Sequence, residues 1–172
     1  MLIGWRVSTL SFALDVVARG DVLGADHTCT PDQVSAILEP TPAENRQGDF
    51  MWRDHGLVEF FWERGDDGWR GTHFTVQLHR LASIGSEVAA GPIEARYGPL
   101  EPTLPFEALR VAAAGLGIDL VRLPSTTSGV REYWQPRSMV LAIQDDTGEV
   151  YALICPYRPP AASRSSIPSC DT

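Results

Sequence analysis

Between Phe50 and Leu81 apolar and polar residues alternate with a period of two. Val58, Phe60 and Trp62 interleave with Leu57, Glu59, Phe61 and Glu63; further on, Phe74, Val76 and Leu78 interleave with His73, Thr75, Gln77 and His79. Such alternation places each set on one face of a half-buried antiparallel sheet. Arg64-Gly65-Asp66-Asp67-Gly68 separates the two runs and supplies residues that tolerate positive φ or bond their own backbone, so the stretch is predicted to be a hairpin turned there.

Helical spacing appears on either side. A short strand at Gly4 to Val7 is followed by Ser8 or Thr9 as a cap, then Leu10, Leu14 and Val17 at helical intervals, with Gly20 as the stop. The sharper signal is Thr30-Pro31-Asp32-Gln33. It offers a capping hydroxyl, proline at the first helical position, an acid in the first turn and a glutamine placed to close a capping box. Val34, Ile37 and Leu38 form the apolar stripe, Cys29 and Val34 are spaced as a hydrophobic staple, and Pro40 closes the helix. A polar loop from Pro40 to Asp49 leads into the hairpin.

From Ser83 to Thr103 glycine and proline crowd together and mark a connector. Pro105 then opens a second helix with Glu107 in its first turn, Phe106, Leu109 and Ala113 on one side, and Gly115 or Gly117 as its stop. Strands are predicted at Ile118 to Leu123 and Arg131 to Gln135. A final hairpin follows, Met139 to Ile143 and Val150 to Cys155, turned at Gln144 to Glu149. Helix then hairpin thus occurs twice without a fixed sequence period. The expected fold class is α+β, with antiparallel sheet or sheets, helices packed on one face, and two helix-plus-hairpin units in tandem. The expected division is residues 1–82, a connector over 83–104, a second unit over 105–158 and a disordered tail over 159–172, with one compact domain as the alternative.

Composition narrows the function classes. The 172 residues are 44% hydrophobic, enough for a real core, and no run of about 18 apolar residues exists to span a membrane. The apolar start is interrupted by Arg6 and Asp15, so it is read as part of a cytoplasmic protein rather than a secretion signal. All fourteen basic residues are arginine. The missing lysine excludes the phosphate-gripping lysine of a P-loop, that of a kinase and all Schiff-base chemistry. The net charge of −8 resides in one segment: from Asp21 to Asp67 eleven acids face three arginines, and the rest of the chain balances. No basic stripe is present for nucleic acid, whereas an acidic segment favours a cationic partner.

Candidate chemistry is sparse. No metal-ligand, nucleotide-loop or nucleophile-elbow pattern occurs, and Cys29, Cys155 and Cys170 match neither a disulfide framework nor a zinc spacing. The expectation is therefore no catalytic residue, no metal and no cofactor. His27 and Cys29, with His55 at the Asp54-His55-Gly56 corner, define the alternative of a small hydrolase, and a ligand-binding regulatory module is a further alternative. His73 and His79 are placed on one face of a strand, about 20 Å apart, too far to share a metal. The aromatic residues Trp52, Phe61, Trp62 and Trp69 crowd the hairpin beside its carboxylates, a mixture suited to an interface.

The succession Thr30-Pro31-Asp32-Gln33-Val34 through Ile37-Leu38, then Arg53-Asp54-His55-Gly56-Leu57-Val58-Glu59-Phe60-Phe61, resembles small actinobacterial immunity proteins of polymorphic toxin systems. It also looks like the helix-and-hairpin units of the lipoprotein-assembly and β-lactamase-inhibitor type of fold, whose helix ends in a Gly-x-Pro phrase; here Glu39 stands close to Pro40 without that glycine. The likeness covers residues 20–81, about a third of the chain. It implies a binding protein that occupies a partner enzyme and carries over no catalytic residue. The resulting expectation is an immunity or inhibitor protein that meets a cationic protein, a cognate toxin for example, through Glu59, Glu63, Asp66 and Asp67 with Trp62 and Trp69 as anchors. Neither nucleic acid nor membrane is an expected partner.

Overall fold

A computed structural model describes residues 8–38, 42–89 and 91–161. The expected strand at Gly4 to Val7, the closing proline Pro40 and the tail beyond 161 lie outside the described residues. The chain is α+β, as its hydrophobic pattern predicts. Eight strands form one antiparallel sheet: β1 (Ala43–Gln47), β2 (Phe50–Asp54), β3 (Val58–Gly65), β4 (Gly68–Val76), β5 (Val121–Leu123), β6 (Arg131–Gln135), β7 (Val140–Gln144) and β8 (Val150–Cys155). Their order across the sheet is β1-β2-β3-β4-β8-β7-β6-β5. Each half is thus a four-stranded meander, and the two meet head to head through β4 and β8, which pair antiparallel at Phe74↔Cys155 and Val76↔Leu153. Both halves lie within a single sheet; the four strands of the second half match those expected, whereas the described part of the first half has four where the hairpin gave two.

Strand β1 comes from a region without alternation. Ala43–Gln47 is polar after its alanine and exposed along its length, so no buried face marks it as a strand; its pairing with β2 is what makes it one. The connector also differs from its compositional reading. It begins where the short helix α3 (Arg80–Ser83) ends, holds a 3-10 turn over Ser86–Ala89 and the helix α4 (Pro92–Tyr97), and buries Ala89, Ile93 and Leu100.

The helices α1 (Ser8–Arg19), α2 (Pro31–Ile37) and α5 (Phe106–Gly115) supply most of the remaining core. Phe12, Val16 and Val17 of α1, Val34 of α2 and Leu109 of α5 join Met51, Phe60, Trp62, Phe74, Val140 and Leu153 of the sheet in one buried cluster. Opposed residues in an antiparallel ladder share a face, so the register assigns Met51, Phe60, Trp62 and Phe74 to the helix-covered side. The opposite side of the first half carries Phe50, Trp52, Asp54, Glu59, Phe61, Glu63, His73 and Thr75. In the second half that side is partly covered by chain beyond β8. Trp134 Nε1 donates to Tyr157 O at 3.0 Å, and Leu141 and Pro159 are buried.

Candidate functional site

The β3–β4 hairpin is held at its base by packing and at its tip by a loop from the first half of the chain. That loop leads into α2 through the capping box read from the sequence. Gln33 N–H donates to Thr30 Oγ1 at 3.2 Å, and Thr30 N–H donates to Gln33 Oε1 at 2.9 Å. Fixing the start of α2 fixes Cys29, whose carbonyl accepts a hydrogen bond from Trp62 Nε1 at 2.9 Å. Gly71 on β4 lets the loop come this close. A Cβ at that position would overlap the carbonyl oxygen of His27 and sit 2.9 Å from its carbonyl carbon.

Between this loop and the hairpin tip lies a cleft of about 620 Å³ lined by His27, Thr28, Asp66, Asp67, Trp69 and Arg70, together with Gly65, Gly68 and Gly71. Asp26 lies below it. Its carboxylate accepts from Thr28 N–H at 2.8 Å and from Thr28 Oγ1 at 2.5 Å, and these bonds, led by the hydroxyl, hold it below the usual carboxylate range.

The acidic segment is less free than its charge count implies. Of its eleven acids, five are paired with arginine: Asp32 and Glu44 with Arg53, Asp54 and Glu59 with Arg80, and Glu63 with Arg70. Arg70 and Arg80 come from beyond the segment, which is why counting within it missed them. Asp21 and Asp26 accept backbone N–H bonds in turns, and Glu39 lies outside the described residues. Asp49, Asp66 and Asp67 form no ion pair among the described residues, and Asp66 and Asp67 stand exposed at the tip.

Two of the expected contact residues are thereby corrected. Trp62 is 1% exposed, stacks on Phe60 at 6.0 Å and spends its N–H on Cys29, so it is a core residue that no partner reaches. Its position follows from the alternation that also buries Phe60. Glu59 is held by Arg80 at 2.9 Å and by Gln77 Nε2 at 2.8 Å, and its side chain is 15% exposed, so little of its carboxylate is open to a partner. Glu63 keeps partial exposure, its arginine standing 3.7 Å away. Trp69 is half-buried, with the guanidinium of Arg64 at 4.7 Å from its ring centroid and that of Arg46 at 5.7 Å. Its ring is already used by cations of its own chain.

The histidines and cysteines do not converge. His55 sits at the β2–β3 turn, the far end of β3 from the cleft. Its ring lies edge-on to Phe60 at 6.4 Å, and both ring nitrogens are buried without a hydrogen-bond partner among the described residues. Burial pushes its pKa down to about 4. His27 lines the cleft, whereas Cys29 is half-buried with its Sγ 3.8 Å from Asp26 Oδ1. Cys155 is buried and its thiol is pushed up to about 12 by desolvation. Strand β4 ends at Val76, so His79 is in a turn and does not share a strand face with His73. His73 stacks on Phe61 at 4.3 Å and His79 on Tyr151 at 4.1 Å. Among the described residues no group of three His, Cys, Asp or Glu side chains is placed to hold a metal ion, and no helix is long and apolar enough to cross a membrane.

No family model, curated protein or solved structure matches the chain.

Proposed function

We propose that this chain is a non-catalytic binding protein of the immunity or inhibitor kind, acting in the cytoplasm, which neutralises a cationic protein partner such as a cognate toxin. The observation that carries this reading is the pair of unneutralised carboxylates, Asp66 and Asp67, presented at the tip of a buttressed hairpin beside a cleft of about 620 Å³. A basic side chain entering that cleft meets Asp66 and Asp67, with Arg70 also on the lining. It displaces no internal arginine from the two tip aspartates. Carboxylates in such a position raise the encounter rate with a positively charged surface and fix its register. The tip is held by the Trp62–Cys29 bond and the close approach at Gly71, so little ordering is needed on binding.

The test is affinity capture from lysate of the producing cells at low ionic strength, followed by elution with rising salt. The reading expects a basic protein to be retained and then released as salt screens the tip. Failure to retain any cationic protein removes its main support.

A further inference from the structure

We infer that the exposed edge strand Ala43–Gln47 pairs with the same strand of a second copy, joining two sheets across a two-fold axis at Asn45. Four observations carry this. The strand lies at the end of the eight-strand order, so one row of its backbone N–H and C=O groups has no ladder partner among the described residues. All five of its residues are exposed, so no described residue covers the edge. Its pairing with β2 runs without a register shift from Ala43↔Asp54 to Gln47↔Phe50, whereas the β3–β4 and β7–β8 ladders are each interrupted by a shift. Proline and a bulge, two of the devices that normally blunt an edge, are missing from Ala43-Glu44-Asn45-Arg46-Gln47, and its only charges are one of each sign, Glu44 and Arg46.

A fifth observation selects the occupant. Read antiparallel against itself about Asn45, the sequence sets Glu44 opposite Arg46 of the second copy, and Arg46 opposite its Glu44, on the α2 side of the sheet. Opposite charges directly across a ladder favour pairing and like charges oppose it. Within one chain Glu44 joins Arg46 at 3.0 Å and Arg53 at 2.9 Å, so the intermolecular pairs would add to or exchange with these bonds. On the other face Ala43 would face Gln47 of the second copy, beside the 57% exposed ring of Phe50, and the small side chain leaves that ring room. Moving the axis by one residue would instead set Glu44 opposite Glu44, or Arg46 opposite Arg46, of the second copy and lose both charge pairs. The inference is independent of the partner proposed for the hairpin tip, which lies on other strands.

Sedimentation velocity of the full chain over a concentration series tests it. The mass is expected to rise from 18.8 kDa towards twice that value. Glu44→Arg or Arg46→Glu alone places like charges opposite each other at two symmetric positions and is expected to weaken association about tenfold; the double exchange restores complementarity and is expected to recover most of it. Circular dichroism confirms that each variant is folded. Register is read separately by oxidative crosslinking: Asn45→Cys is expected to crosslink between copies, and Ala43→Cys, which faces position 47, is not. A mass that stays at 18.8 kDa at the highest concentration overturns the inference, as does a dimer indifferent to the charge exchanges with no crosslink at position 45.

Discussion

Replacing Gly71 by alanine is a sharp test of how the cleft is built. A Cβ there overlaps the carbonyl oxygen of His27 and lies 2.9 Å from its carbonyl carbon and 3.6 Å from Cys29 O. The obstacle is backbone on both sides, so no side chain can rotate away, and the loop over 27–29 must lift from β4. Overpacking of this kind costs about 1–3 kcal/mol, and a clash with main chain belongs at the upper end. Lifting the loop also stretches the Trp62 Nε1 to Cys29 O bond of 2.9 Å, which adds about 1 kcal/mol. Together, about 3–4 kcal/mol is a large share of the roughly 5–15 kcal/mol of a domain, and lowers Tm by about 6–15 °C for this size. Urea titration and thermal melts monitored by circular dichroism measure it. Gly115→Ala is the matched control: it ends α5, a Cβ there meets nothing within 4 Å, and the substitution is expected to be neutral or to stabilise by up to about 1 kcal/mol. If Gly71→Ala melts with Gly115→Ala, the loop is not held against the hairpin as described.

Other predictions concern separate parts of the molecule. Arg80→Met leaves Asp54 and Glu59 facing each other without the guanidinium that now lies 3.1 Å and 2.9 Å from them; a loss of about 1–3 kcal/mol is expected from urea titration, because the group is only partly buried. Trp62→Phe removes the donor to Cys29 and should cost about 1–3 kcal/mol with no direct effect on partner contact, whereas an exposed anchor would show the reverse. His55 has a folded pKa of about 4, below the unfolded value of about 6.5, so the unfolded chain takes up the proton first. Stability is therefore full above about pH 6.5 and falls as pH drops towards 4, by about 1–2 kcal/mol after allowing for solvent screening of a half-buried ring. His55→Phe should flatten that part of the stability profile.

Much of the fold was legible because burial leaves a period in the chain. The alternation at Val58, Phe60 and Trp62, the capping residues Thr30 to Gln33 and the stripe Phe106, Leu109 and Ala113 all reappear as buried faces or satisfied caps. Strand β1 was not legible, since a fully exposed edge strand shows no apolar period and is defined only by hydrogen bonds to β2. Within the site, the same alternation that placed Phe60 inside also places Trp62 inside, so its loss as an anchor was readable in principle. The neutralisation of Asp54 and Glu59 was not, because Arg80 reaches them from a helix after β4 and no local spacing announces it. The cleft depends on the approach of His27 to Gly71, a contact between residues 44 positions apart in the chain, for which the only sequence signal is a glycine inside a strand.

The most direct measurement for the binding account compares the proteins captured at low ionic strength by the native chain and by the Asp66→Asn/Asp67→Asn variant, both confirmed folded. A basic protein held by the native chain, released by salt and missing from the variant's capture is the predicted result. Equal capture by both, or no basic protein captured by either, contradicts it.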